Sequence, residues 1–384
     1  MRSPTSEGGR PIRSLAACLA VALAARLAVI LAWPCEPAWD GHYYARLAAR
    51  LAAGQGYTDA RPWGAEATAF WPPGLPFALA PLLRLGASPR VAAACVNLSA
   101  AALACAAVHH AAARRDGPEA GARAAMIYAL YPGLVLWSTA AMTETLTGAL
   151  LAASVWIALP RNGFVSGLGV GLAALARPPS LLLTAAPLVA RRGLRATLLC
   201  VAGAAAVVAP WTLRNARALD GAALVSTNGG SNLLIGATSA GGGYARLQGR
   251  YPACDAAAGE VARDRCWRAR ALEVARARPL RWLARGGARL ARTMLLEVDP
   301  AAHLAWSARP PASPARSALA ALCTLAWWWL LASFARGASG DGESRVAAYA
   351  LGATALTHAV FLGADRYHLV LVPLLCPLAA RARR

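Results

Sequence analysis

With 18 acids among 384 residues, an acid beside an apolar run is uncommon in this chain. Asp40 lies in WDGHYYAR, just after the first apolar run, and Glu144 lies in AMTETLTG, at the head of a later one. A carboxylate held at the edge of apolar helices is costly and by default marks a functional site. Each also has a local reading. Asp40 would N-cap the helix GHYYARLAAR, and Glu144 would sit in a first helical turn, where the macrodipole favours an acid and Thr143 could cap. Arg177, in ALARPPS, falls between two apolar runs, where Pro178 and Pro179 force the helix to break. A guanidinium at such a break suits bidentate phosphate capture, or it snorkels to the interface. Arg366, in GADRYHLVLVP, stands at another span end beside His368, which is either a phosphate donor or a structural histidine.

Other motifs carry less. The stretch VSTNGGSNLLIGATSAGGG has no G-K-[ST] and opens no phosphate loop, so turns are its simplest content. No C-x-x-C pair occurs, which leaves zinc and thiol-redox chemistry without support. Six of the nine cysteines lie in apolar runs, but Cys254 and Cys266 share a polar stretch on the external side and close a small loop, so they are expected to be bridged.

The elements that must position these residues are membrane helices. The chain is 58% hydrophobic and only 15% charged, where a soluble domain carries roughly a quarter charged residues. Its apolar residues come in long Ala-, Leu- and Val-rich blocks, the pattern of helical spans rather than barrel strands. Every one of the 39 basic residues is Arg, a composition that reads as codon bias. A nucleic-acid partner would want a basic soluble domain with interleaved aromatics, and none is present.

The first span, about 12–33, follows Arg2, Arg10 and Arg13 and is expected to be retained as a helix with a cytoplasmic N-terminus. Residues 34–73 form an external loop whose stripe Tyr44, Leu47, Ala48 and Leu51, opposite Arg46 and Arg50, predicts a helix lying on the membrane. The segment 73–84 is too short to span. Runs near 91–113, 124–139, 145–159, the two flanking Arg177, 196–211, 316–335, 346–363 and 369–380 complete about ten crossings. Each short arginine-rich loop and both termini then fall inside. The expected divisions are a transmembrane module over 1–213, a polar external segment over 214–315 and C-terminal spans over 316–384. This is an all-α polytopic membrane protein, and Asp40 and Glu144 share one external level.

The motifs WDGHYYARLAARLAAGQGY, WPPGLPFALAPLLRLGA, ALYPGLVLWSTAAMTETL, LAALARPPSLLL, APWTLRNARALDGAALVSTNGGSNLLIGAT and ADRYHLVLVPLL, taken in order, resemble the bacterial integral-membrane glycosyltransferases of the GT-C fold. The likeness is to the glycosyltransferase family 39 or PMT-like group, which includes the ArnT-like lipid A aminoarabinose transferases and protein O-mannosyltransferases, and it covers about residues 30–378. The resemblance implies a polyprenyl-phosphate sugar donor, transfer on the periplasmic side of the inner membrane, and inversion at the anomeric carbon. It implies Asp40 as catalytic base, Glu144 as the second catalytic acid, and Arg177, Arg366 and His368 near the donor phosphate. Many relatives have two adjacent acids in the first loop. Here Gly41 follows Asp40 and Glu36 lies four residues earlier, which weakens a paired-acid divalent-metal site and the protein-mannosyltransferase branch.

The physical chemistry agrees with the resemblance. A carboxylate can take the acceptor hydroxyl's proton, and arginines stabilise the charge growing on the leaving phosphate. Tyr43 and Tyr44 in the first loop, and Asn228 and Asn232 in the Gly/Asn-rich segment, are candidates for the sugar pocket. The expected partners are the donor, membrane lipids, and a lipid, glycan or protein acceptor; no resident cofactor is called for. The competing function is a transporter or flippase of a lipid-linked saccharide, which would hold its ionisable groups near mid-bilayer rather than at one face.

Overall fold

The computed structural model describes residues 9–61, 64–239 and 243–383. The chain opens with α1 (Gly9–Ala32), α2 (Asp40–Ala52), an antiparallel hairpin of β1 (Thr58–Arg61) and β2 (Gly64–Ala67), and α3 (Gly74–Arg84). Then come α4 (Pro89–Asp116), α5 (Pro118–Ala129), α6 (Pro132–Trp137), α7 (Glu144–Ala152), α8 (Gly163–Ala176), α9 (Ala186–Val189) and α10 (Gly193–Ala218). The polar stretch folds as α11 (Gly229–Thr238), α12 (Pro252–Asp255), α13 (Glu260–Ala277), α14 (Pro279–Met294) and α15 (Asp299–His303). The last elements are α16 (Ser313–Gly337), α17 (Gly342–Val360) and α18 (Val372–Ala379). The fold is all-helical apart from that hairpin, which lies within the segment expected to be loop and interfacial helix.

Among the described residues, four helices are long and apolar enough to cross a membrane unbroken: α1 over Leu15–Ala32, α4, α10 and α16. Several other crossings are assembled from pieces. α5 stops at Leu130–Tyr131 ahead of Pro132, α7 runs on as a π-helical turn over Ala153–Ala158, and α8 ends at Arg177 before a 3-10 turn over Pro178–Ala185. Proline supplies no amide hydrogen and blocks the preceding turn, which accounts for the breaks at Pro132 and at Pro178–Pro179; the π-helical turn contains no proline. α3 has 11 residues, about 16 Å of helix, and cannot span.

The arginine-rich loops expected on one side do meet at one end of the bundle. Arg115 pairs with Asp341 at 2.6 Å, Arg381 with Glu343 at 2.8 Å, and Arg345 donates to the Val189 carbonyl at 3.0 Å. Arg161, on the next loop, lies 3.4 Å from the His110 ring. Asp40, Glu144, Arg177 and Arg366 gather at another place in the bundle, described below.

Arg177, between two apolar runs, is not the most deeply buried cation among the described residues. Arg26 and Arg289 are completely buried, whereas the Arg177 side chain keeps 16% of its surface. Both buried arginines serve broken helix ends. Arg26, inside α1, donates to the carbonyls of Ala129 at 2.9 Å and Tyr128 at 3.5 Å, at the C-terminal end of α5. Arg289 donates likewise to the Gly236 carbonyl of α11 and to Ala359 of α17. Nothing in the local sequence around Arg26 reveals that its partner helix stops at that level.

The elements of the polar stretch are clasped to the first loop by one carboxylate. Glu260, at the start of α13, accepts from Thr68 Oγ1 at 2.6 Å, the Ala69 amide at 2.7 Å and Thr227 Oγ1 at 2.5 Å. Cys254 and Cys266 form a disulfide that ties α12 to α13. Alkylation without reduction should therefore modify the exposed Cys95 and spare Cys254 and Cys266, as read by peptide mass spectrometry.

Candidate active site

Trp39 sets the entrance to the site. It adopts φ 51°, a left-handed conformation that a bulky residue takes only when its surroundings impose it, at a cost of about 1–3 kcal/mol. Its indole packs 6.1 Å from Trp137 and 5.2 Å from His303, centroid to centroid, and so turns the chain into α2 with Asp40 as the first helical residue. Gly41 follows because α2 lies against the chain at Ala141: a Cβ there would sit 2.8 Å from the Ala141 carbonyl oxygen. A second carboxylate cannot occupy that position without moving the helix.

Neither acid caps its helix. Asp40 and Glu144 are each the first residue of their helices, and neither N-cap residue makes a side-chain capping bond. Both carboxylates turn instead to arginines brought from far along the chain. Arg366 Nη2 donates to Asp40 Oδ2 at 3.0 Å, its Nε lies 3.4 Å from Glu144 Oε1, and its Nη1 lies 3.3 Å from Asp299 Oδ2. Arg177, held where α8 breaks, donates from Nη1 to Glu144 Oε1 at 2.8 Å and to Thr143 Oγ1 at 3.3 Å. The turn ahead of Glu144 is pinned by Asn97, whose Nδ2 donates to the carbonyls of Ser138 and Ala140. Tyr367 lies between the two guanidiniums, with ring-centroid distances of 4.6 Å to Arg177 and 5.0 Å to Arg366.

The two acids differ in access. Asp40 keeps 34% of its side chain open, whereas Glu144 keeps 1% and also accepts from the Trp137 indole at 3.1 Å. Glu144, read from the sequence as catalytic, thus stands behind the guanidiniums as their counter-charge, out of a substrate's reach. Burial raises the Asp40 carboxyl above its ordinary value. Arg366 opposes that rise, Glu144 adds to it, and Arg177 opposes it again.

His368 needs a second correction. The sequence offers it as a donor to phosphate, but its ring is fully buried and stacked 3.9 Å from Trp327. Nδ1 faces the Thr293 carbonyl at 2.6 Å, and Nε2 faces Glu297 at 2.8 Å. Both nitrogens are occupied inside the bundle. Tyr44 is buried against Trp71, while Tyr43 is part-exposed and stacks on the same indole at 5.0 Å. Asn228 shapes the start of α11: its Oδ1 accepts from Ser226 Oγ at 2.9 Å, and its carbonyl accepts from the Asn232 amide at 3.0 Å. Neither asparagine bonds to the Asp40–Arg366 group.

Asp299, Trp39, Tyr367 and Asp365 belong to the site and were not singled out by sequence. Asp365 accepts from the amides of Val298 and Asp299 and so holds the strap that presents Asp299. Tyr367 could have been found in ADRYHL, beside Arg366. Asp299 is one acid in an arginine-rich stretch and carries no such signal.

Arg177 also lines a crevice whose wall includes Leu182, Leu183, Ala353, Leu371 and Leu374. Its Nε and Nη2 have no hydrogen-bond partner among the described residues. The arrangement therefore offers an accessible carboxylate, two guanidiniums held by ion pairs and an adjoining small crevice.

No family model and no curated protein matches the sequence. Among solved structures, the chain is similar to the archaeal oligosaccharyltransferase AglB from Archaeoglobus fulgidus, solved in complex with an inhibitory peptide and a dolichol-phosphate. That likeness has a TM-score of 0.56 at 12% identity and covers 98% of this chain and 50% of AglB. This chain therefore spans about half the length of that enzyme. ArnT from Cupriavidus metallidurans, bound to undecaprenyl phosphate, is a looser match, with a TM-score of 0.43, 14% identity, and coverage of 98% of this chain and 78% of that one. At such identities the likeness is one of fold.

Proposed function

We propose that this polytopic membrane protein of the GT-C fold is an inverting glycosyltransferase, moving a sugar from polyprenyl phosphate to an acceptor hydroxyl or phosphate on the periplasmic face of a bacterial inner membrane. The observation that carries the reading is the Arg177 edge: two unused donors beside an apolar crevice, next to a part-open Asp40. A phosphate at the mouth of that crevice would leave a long hydrocarbon tail in the bilayer. The dolichol-phosphate bound to AglB supports the same class of donor.

In the reaction, Asp40 takes the proton of an acceptor hydroxyl as its oxygen bonds to the anomeric carbon. The bond from that carbon to the phosphate oxygen breaks, and its electron pair leaves with the polyprenyl phosphate. Arg177 and Arg366 face the charge that develops there. Glu144 orients both guanidiniums, and Asp299 holds the far edge of Arg366.

The purified chain, given a labelled polyprenyl-phosphate sugar and envelope acceptors, should release free polyprenyl phosphate; a flippase would move the donor intact. The deep cation Arg26 argues against transport, because helix carbonyls take the donors of its Nη1 and Nη2. Arg177→Ala should raise the donor KM by roughly 10- to 100-fold, the worth of one or two charged hydrogen bonds, and leave the acceptor KM unchanged.

The pH profile has a defined sign. Asp40 must be ionised to act, and its carboxyl is raised by burial. Activity should therefore be full at neutral pH and fall as pH drops through a value above the ordinary carboxylate range. A kcat/KM profile flat down to pH about 4, the range of an unperturbed carboxylate, would exclude a base whose carboxyl is raised by burial.

A further inference from the structure

α14 presents three faces, and one of them is uncovered. Gly286, Arg289 and Thr293 pack inward, with Gly286 lying against the Ala359 carbonyl. Arg281, Arg285 and Arg292 share a second side. On the third, Leu280 is 81% exposed, Leu283 60% and Leu290 36%, with Ala284, Gly287 and Ala291 between them. In a soluble segment such a leucine face would be a liability; beside membrane spans it has a natural occupant.

Two observations identify the occupant. The first is continuity. Where α14 ends, the carbonyls of Met294 and Leu295 accept at 2.7 Å from the indoles of Trp327 and Trp328. Those tryptophans lie beyond the midpoint of the spanning helix α16, so the end of α14 sits well below the outer end of that span. The uncovered face then runs on through Leu295 and Leu296, both about half exposed, to the exposed rim of Trp328. The second is charge. Arg276, Arg278 and Arg281, at the corner between α13 and α14, and Arg292 farther along make no ion pair among the described residues. The acid Glu273 nearby is taken by Arg270 at 2.8 Å. An apolar stripe flanked by unpaired arginines complements acyl chains below anionic headgroups.

We propose that α14 is a half-inserted helix in the outer leaflet, with its leucine face against acyl chains and the Arg276–Arg278–Arg281 corner bound to the headgroups of anionic phospholipids. The helix would slope inward, with Leu280 shallowest and Leu296 deepest. Docking anchors the strap after Met294, which carries Glu297 to its bond with His368 and Asp299 to its pairing with Arg366. The proposal concerns placement in lipid and stands whatever reaction the site performs.

The test uses the full chain in nanodiscs, with Cys95→Ala removing the exposed native thiol. Spin labels at Leu283→Cys, Leu290→Cys and Leu296→Cys should be relaxed by dissolved oxygen more than by a water-soluble nickel chelate, and increasingly so in that order. A label at Arg265→Cys, on the exposed side of α13, should show the reverse. Labels at 283 and 290 that behave like the one at 265 would overturn the insertion. Labels shielded from both probes would instead indicate a second protein copy on this face, and would overturn it too.

The headgroup half is read by amide exchange in α14. Exchange should be roughly fivefold slower in discs containing anionic phospholipid than in zwitterionic discs for each arginine engaged. The triple change of Arg276, Arg278 and Arg281 to Gln should remove the difference while leaving the oxygen readings in place. Equal exchange in both lipids for the unaltered chain would overturn the headgroup assignment.

Discussion

Asp40→Asn should reduce glycosyl transfer by at least about 100-fold while membrane insertion and thermal stability stay near those of the unaltered chain. The amide is nearly isosteric and can still accept from Arg366 Nη2, so the 3.0 Å contact has a successor. What disappears is a group able to take a proton. Asp40 is part-open and touches only Arg366 among the charged residues, so its removal leaves little buried charge uncompensated. Transfer assayed in proteoliposomes, beside a melting curve on the same preparation, separates chemistry from folding. Retained activity above about a tenth of normal would exclude the carboxylate as base, since loss of a general base costs roughly 10²- to 10⁴-fold.

The second large effect is opposite in kind. Glu144→Ala should destabilise the protein itself, by about 3–5 kcal/mol, because it strips the shared counter-ion from two guanidiniums in a nearly closed environment. Trp137 would also lose its acceptor. Glu144→Gln keeps an oxygen for the indole, so it should fold better than the alanine variant yet still bind donor poorly, because Arg177 would lose its ion-pair partner and reorient. Melting curves in detergent, with donor KM measured for the glutamine variant, check both halves. An alanine variant as stable as the parent would mean that Glu144 does not bear those charges.

Much of this was readable from residues alone. Long Ala- and Leu-rich runs give the helices, and Pro132, Pro178 and Pro179 mark where they break. The stripe of Tyr44, Leu47 and Ala48 locates the buried face of α2. Asp40, Glu144, Arg177 and Arg366 could be picked out because charges are scarce in such runs, and the structure brings all four together. What stayed hidden was contact over distance. Arg26 answers carbonyls about a hundred residues away, and Asp299 matters only because Arg366 folds back beside it. His368 misled because adjacency to Arg366 says nothing about which way a ring turns; it faces Glu297 in the interior. Glu144 misled more gently, since scarcity flags an acid without telling whether its oxygens are open.

The pairing of Asp40 with Arg366 spans 326 residues, and that separation imposes a schedule on biogenesis. The ribosome delivers Asp40, Glu144 and Arg177 long before it delivers their last cation. Throughout that interval Asp40 and Glu144 lack the Arg366 guanidinium that joins them. A chain halted before Arg366 would thus lack the group on which the proposed transfer depends, so under that proposal transfer would report completed synthesis.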